Sequence, residues 1–163
     1  MSNTIKELYA KAEGRYLSDL EGAQLAQYAD TMLASLESAQ SVERAEEAIL
    51  NQVVKRVMDG SPGISKDHGP MAEQLIRRDQ ALVLRYAVMG MIVNDENFVH
   101  DKLAVWLRTI MLAQCNPKQV MLGYRYLIDA CNQQLLPQDA ARVVPFIQVV
   151  LREFEAHTKG QPS

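Results

Sequence analysis

The sequence predicts an all-α chain, and three observations carry that expectation. No segment alternates polar and apolar residues with period two over a useful length, so there is nothing from which to build a sheet. Apolar residues recur instead at three- and four-residue spacing along most of the chain. The third observation is the stretch from Ile76 to Asp95, IRRDQALVLRYAVMGMIVND, in which Arg85 is the one charged side chain between Gln80 and Asn94. A helix so poor in charge does not lie on a surface and is expected across the middle of a core. It is too short for a bilayer. A spanning helix needs about 20 continuous apolar residues, whereas Arg77, Arg78 and Asp79 interrupt the run on one side and Asp95 closes the other.

The elements follow in order. Ile5, Leu8, Tyr9 and Ala12 recur at helical spacing after Asn3 or Thr4, predicting a short amphipathic helix that Gly14 ends. Ser18 and Glu21 have the spacing of a capping box, so a second helix starts near Asp19 and runs to about Ala39, with Leu25, Tyr28, Ala29, Met32 and Leu36 inward. Ser41 is expected to cap a third helix that carries Glu43, Glu46 and Glu47 near its positive end, runs through Ile49, Leu50, Val53 and Val57, and stops at Gly60. Asp59 to Pro70 reads as the long loop of the chain, since its Pro-Gly and Gly-Pro steps forbid continuous helix; Pro70 suits the first turn of the central helix. After Asp95, Asn97 or Asn94 caps a fifth helix bearing Val99, Leu103, Trp106, Leu107, Ile110 and Met111. Asn116-Pro117 opens a sixth, with Val120, Tyr124, Leu127, Ile128, Cys131 and Leu135 on its stripe. Pro137 restarts a seventh, with Val143, Ile147, Val150, Leu151 and Phe154 inward. Residues 1–163 are expected to form a single domain, with 1–17 as an N-terminal helical extension and 158–163 as a frayed tail.

Composition narrows the function. With 163 residues, 48% of them hydrophobic, the chain is globular and has room for a core. A net charge of −3 with no basic patch disfavours nucleic acid as a partner. Cys115 and Cys131 have no metal or redox spacing, and without a secretory signal a reducing cytoplasm is the expected compartment. No Ser, His and acid arrangement, phosphate-cradling loop or paired-carboxylate motif is present, so no catalytic residue is assigned and the chain is not expected to be an enzyme.

The residue that breaks the pattern is Asp79. On a helix, Ile76, Asp79, Val83, Tyr86, Gly90 and Val93 share a face, and a carboxylate on that apolar stripe needs water, an arginine partner or a ligand that donates hydrogen bonds.

Residues 76–95 resemble the chromophore-bearing helix of the phycobiliproteins, whose pattern places Cys, any residue, Arg-Asp, an aromatic or apolar segment, Leu-Arg, and an apolar run ending near Asp. The register here gives Ile76, Arg78, Asp79, Leu84, Arg85, Gly90 and Asp95. GRYLS at 14–18 and LAQCNPKQVMLGYRYLIDAC at 112–131 extend the likeness over nearly the whole chain. The resemblance implies a globin-like phycobiliprotein fold with an added N-terminal helical extension. In that family the first position is a cysteine that holds a linear tetrapyrrole, a bilin, by a thioether. Ile76 cannot form one, and Leu82 and Val83 stand where the family has a Tyr-Tyr pair. What the resemblance then implies is noncovalent binding: Asp79 accepts the central N–H groups of the bilin, and Arg78 or Arg77 pairs with its propionates, beside Ile76, Leu82 and Val83.

The same resemblance implies a homodimer or heterodimer through the N-terminal helices, with phycobilisome or bilin-biosynthesis proteins as partners and a role in tetrapyrrole handling or antenna regulation. In the family an N-terminal acid meets the arginine corresponding to Arg85. Lys11 stands at that acid's position and would repel Arg85, Glu13 is its substitute, and the dimer is expected to rest on Leu8, Tyr9, Tyr16 and Leu17. A chromophore-free interaction module and a sensor globin are the alternatives. His68, His100 and His157 raise the question of haem, but His100 beside Asp101 and Lys102 reads as a solvated first turn. No metal site is expected.

Overall fold

The capping box forms as its spacing requires. Ser18 N–H donates to Glu21 Oε2 at 2.8 Å and Glu21 N–H to Ser18 Oγ at 3.4 Å, while Arg15 clamps the same carboxylate at 2.7 Å. Those bonds hold the Glu21 carboxyl well below the usual carboxylate range. The computed structural model describes residues 3–60 and 69–158, with all side chains among them save those of residues 3, 4 and 114. The elements are α1 (Asn3–Lys11), α2 (Asp19–Gly60), a 3₁₀ turn (Gly69–Met71), α3 (Ala72–Val93), α4 (Glu96–Val99), a π-helical turn (His100–Ala104), α5 (Val105–Gln114), α6 (Pro117–Gln134) and α7 (Pro137–Thr158). Most of the expected Asp59–Pro70 loop, 61–68, and the tail beyond Thr158 lie outside the described residues.

The expected break at Ser41 is absent, and α2 is one helix of 42 residues. No glycine or proline stands between Gly22 and Gly60 to interrupt it. A serine caps only where the preceding chain leaves the helix, and here the preceding turn is pinned: buried Ser38 donates through Oγ to buried Asp139 Oδ1 of α7 at 2.7 Å. Burial along α2 begins at Ser35 and continues through Val42, Ile49, Val53 and Val57. Its first sixteen residues, about 24 Å of helix, run past the body. Leu25 and Leu36, expected inward, are exposed, as are Leu20 and Leu33. Tyr28 Oη donates to the Val93 carbonyl at 3.3 Å, which satisfies one open carbonyl at the end of α3. Leu8 and Ile5 of α1 are buried, and a hollow of about 370 Å³ lies between α1, Leu17 and Leu25.

α3 occupies the centre, packed on α2 and α7. Its buried stripe is Gln80, Val83, Leu84, Ala87, Gly90 and Met91, so the inward face is turned from the expected Ile76–Asp79–Tyr86 line. The helix ends with Asn94 in the left-handed region at φ 48°. Asp95 N–H reaches Gly90 O at 3.0 Å and Asn94 N–H reaches Met91 O at 3.2 Å, the two bonds of a Schellman close. Asp95, rather than Asn94 or Asn97, then caps α4 by accepting from Asn97 N–H at 3.0 Å. The π turn follows. Val99, Leu103, Leu107 and Met111 are buried at four-residue steps, each of which overshoots a regular turn by about 40°; one wider turn absorbs part of that drift and keeps them on one face. Trp106, one residue before Leu107, is turned outward and exposed.

Asn116 Oδ1 accepts from Lys118 N–H at 3.0 Å and Pro117 opens α6, as expected. Tyr124, Leu127, Cys131 and Leu135 are buried on its inner stripe, and α7 closes the body against α6 and α3. Pro145 lies inside α7 and leaves the carbonyl of exposed Ala141 without a helix donor. Among the described residues there is no strand, and no helix is long and apolar enough to cross a membrane.

Candidate functional site

The first turns of α3 sort their charges by direction. Arg77 donates to Asn51 of α2. Arg78, next in the chain, is 72% exposed and folds back so that Nε and Nη2 both lie 3.0 Å from Asp79 Oδ1. An exposed pair of this kind contributes about 0–1 kcal/mol. The Asp79 side chain is 22% exposed, and Arg78 is its one charged partner among the described residues. Ile76, Asp79 and Leu82 follow at three-residue spacing along a partly exposed strip of α3, with Val83 fully buried behind them. Ile76 packs on the core and offers no nucleophile.

Two polar groups with no functional signal in the sequence lie deeper. Gln80 is 6% exposed, and its Oε1 has no hydrogen-bond partner. It fits because residue 123 is glycine: a Cβ there would stand 2.9 Å from Gln80 Nε2. The next residue, Tyr124, is 1% exposed, its ring set edge-on to Phe154 with centroids 5.4 Å apart, and its hydroxyl also lacks a partner. Burial, then the charges of Asp79 and Cys115, pushes that hydroxyl above the usual phenol range, so it keeps its proton. Periodicity could place Tyr124 on an inner stripe; it carries no signal that the hydroxyl is orphaned, which depends on what α3 and α7 set opposite.

Cys115 is partly buried, with Sγ 3.7 Å from Met111 Sδ, and burial followed by Asp79 raises its thiol. Cys131 is core, pushed up to about 12 by burial, and both thiols are free. His100 is held at 2.7 Å from Asp101 Oδ1 and 3.3 Å from Glu153 Oε2, while His157 contacts Arg108; His68 lies outside the described residues. Among the described residues no three His, Cys, Asp or Glu cluster as for a metal.

A second feature is a groove of about 490 Å³ between α2 and α3, lined by Leu36, Ala39, Val42, Leu84 and Val88 with Glu43, Glu46 and Arg85. Arg85 is not waiting for an acid from elsewhere. Glu46 of the same chain holds it at 2.6 Å, and that pair raises the guanidinium's already high pKa.

The first turns of α3 therefore present a largely buried carboxylate with a long, exposed arginine beside it. Such a pair suits a ligand bearing N–H groups and carboxylate arms. A family model described as phycobilisome protein matches residues 8–154. No curated protein matches the chain.

Proposed function

This chain belongs to the phycobilisome protein family, and from that premise we propose that it is a phycobiliprotein-like globin that binds a linear tetrapyrrole without a covalent link. The family is generally one of non-enzymatic light-harvesting proteins. The observation that carries the reading is Asp79, a largely buried carboxylate whose one charged partner among the described residues is exposed Arg78. Asp79 accepts the central N–H groups and favours the protonated chromophore; Arg78 reaches the propionates, and Arg77 joins it by releasing Asn51. Ile76 and Leu82 supply apolar contact, and Val83 backs them from the core. When bound, the tetrapyrrole supplies visible absorption. With Ile76 in place of a cysteine, that colour is released on denaturation. A titration with biliverdin followed by a zinc-stained denaturing gel tests both halves: saturable binding and no fluorescent band on the polypeptide.

A second reading has its own observation. Tyr9, Tyr16, Leu17, Leu20, Leu33 and Leu36 are exposed on α1, its connector and the start of α2. They support a dimer, with a second copy or a phycobilisome protein, through the N-terminal helices. Leu8 is buried within its own chain and acts from inside; Tyr9, Tyr16 and Leu17 are the ones that face out. A chromophore-free interaction module needs only this surface.

A further inference from the structure

We propose that His100 is a pH-sensitive tie between the π turn and the last turns of α7, closed while both ring nitrogens are protonated and open once one proton leaves. The tie is independent of any tetrapyrrole.

His100 opens the π turn, and a carboxylate stands at each of its ring nitrogens. Nδ1 is 2.7 Å from Asp101 Oδ1 of the same turn, and Nε2 is 3.3 Å from Glu153 Oε2 of α7. An ionised carboxylate only accepts, so both nitrogens have to donate, and only the imidazolium has two N–H groups. A neutral ring keeps one. The shorter bond retains it on Nδ1, which leaves the Nε2 lone pair facing a carboxylate oxygen across the boundary between the π turn and α7. The Glu153 side chain is 12% exposed, so water screens that opposition poorly.

The other charged groups around the ring do not replace the lost donor. Arg108 of α5 is already spent on Glu153 Oε1 at 3.0 Å and on His157 Nε2. His157 of α7 turns its Nδ1–H to the Glu153 carbonyl at 3.0 Å, which makes Nε2 its acceptor side. Arg152 of α7 pairs with Glu96 of α4 at 2.8 Å, and Lys102 of the turn itself is exposed. The hydrogen bond to Asp101, with the charge of Glu153, outweighs burial and holds the His100 pKa above the ordinary 6.5. The tie is therefore closed below 6.5 and opens as pH climbs through the raised value. What it frees is the π turn, the wide step that sets the register of α5.

The test is amide exchange of the full chain, expressed as protection, beside an NMR titration of the His100 ring, both from about pH 5.5 to 8.5. The wild-type ring is expected to titrate above 6.5. Across that step residues 100–105 should lose about two- to fivefold of their protection, the ratio an exposed pair supplies, while α6 keeps its own. His100→Asn should abolish the step. Glu153→Gln keeps the shape and removes the charge, so the His100 midpoint should fall. A wild-type midpoint at or below 6.5, or protection that does not follow the ring titration, overturns the proposal. So does a step that survives in His100→Asn, or an unmoved midpoint in Glu153→Gln. Should Glu153→Gln fail to fold for want of its Arg108 contact, the wild type and His100→Asn decide.

Discussion

Asp79 is cheap to hold in the ligand-free chain and costly to lose in the complex, and that asymmetry makes it a sharp residue to change. Its exposed neighbour Arg78 adds little to folding, so Asp79→Asn should leave the folding free energy within about 1 kcal/mol of wild type. The same change removes a charge-assisted contact to the ligand, worth about 1.5–3 kcal/mol, and should weaken biliverdin roughly ten- to a hundredfold. Equal affinity by absorbance titration would place the chromophore elsewhere. His100 supplies a pH test of the other end of the body. The hydrogen bond to Asp101, then the charge of Glu153, raises its pKa above the ordinary 6.5, near Arg108 and His157. A raised folded-state pKa adds stability that is full below 6.5 and is lost as pH climbs through the folded value. Melting from pH 6 to 8 should therefore show a fall that His100→Asn flattens; an unchanged slope would remove His100 from the account. At this scale the sequence displays Asp79 as the anomaly of its expected face, and the structure sets it on the partly exposed side of α3 beside Arg78. Tyr124 was legible only as packing, since an orphaned hydroxyl is defined by what surrounds it.

Helix ends were readable where the signal is local. The Ser18–Glu21 box and the Asn116-Pro117 start need only nearby backbone. Ser41 carried a similar local signal and was overruled by the long-range Ser38–Asp139 bond. Trp106 turned outward because the inward line follows the four-residue step through the π turn, a register that composition alone does not fix. Gly90 marks where elements meet most closely: an added Cβ would overlap Val99 Cγ2 and stand 3.0 Å from Phe146 Cδ1. Gly90→Ala should thus cost about 1–3 kcal/mol in chemical denaturation despite the better helix former. Gly22, also helical, has open space around it, so Gly22→Ala should instead stabilise by about 0.5–1 kcal/mol. Matching signs in the two variants would mean that the close approach of α3, α4 and α7 is wrongly placed.

The whole molecule is a helical body beyond which α1 and the first turns of α2 leave large apolar side chains exposed. The sequence predicted Leu25 and Leu36 as inward because helical spacing reports which residues share a face, not whether that face meets its own chain or another. Light scattering at tens of micromolar, an order-of-magnitude concentration for a modest interface, should give a dimer, and Leu20→Glu with Leu33→Glu should give a monomer of unchanged helicity. A wild-type monomer would contradict the assembly and leave the site untouched. The site itself is decided by one measurement: absorbance of the purified chain titrated with biliverdin. A saturable, red-visible change at one ligand per chain is expected, and acid denaturation then separates the ligand from the polypeptide. A titration with no saturable change would contradict it, leaving Asp79 as a helix-end ion pair and the exposed face of α1 and the start of α2 as the functional surface.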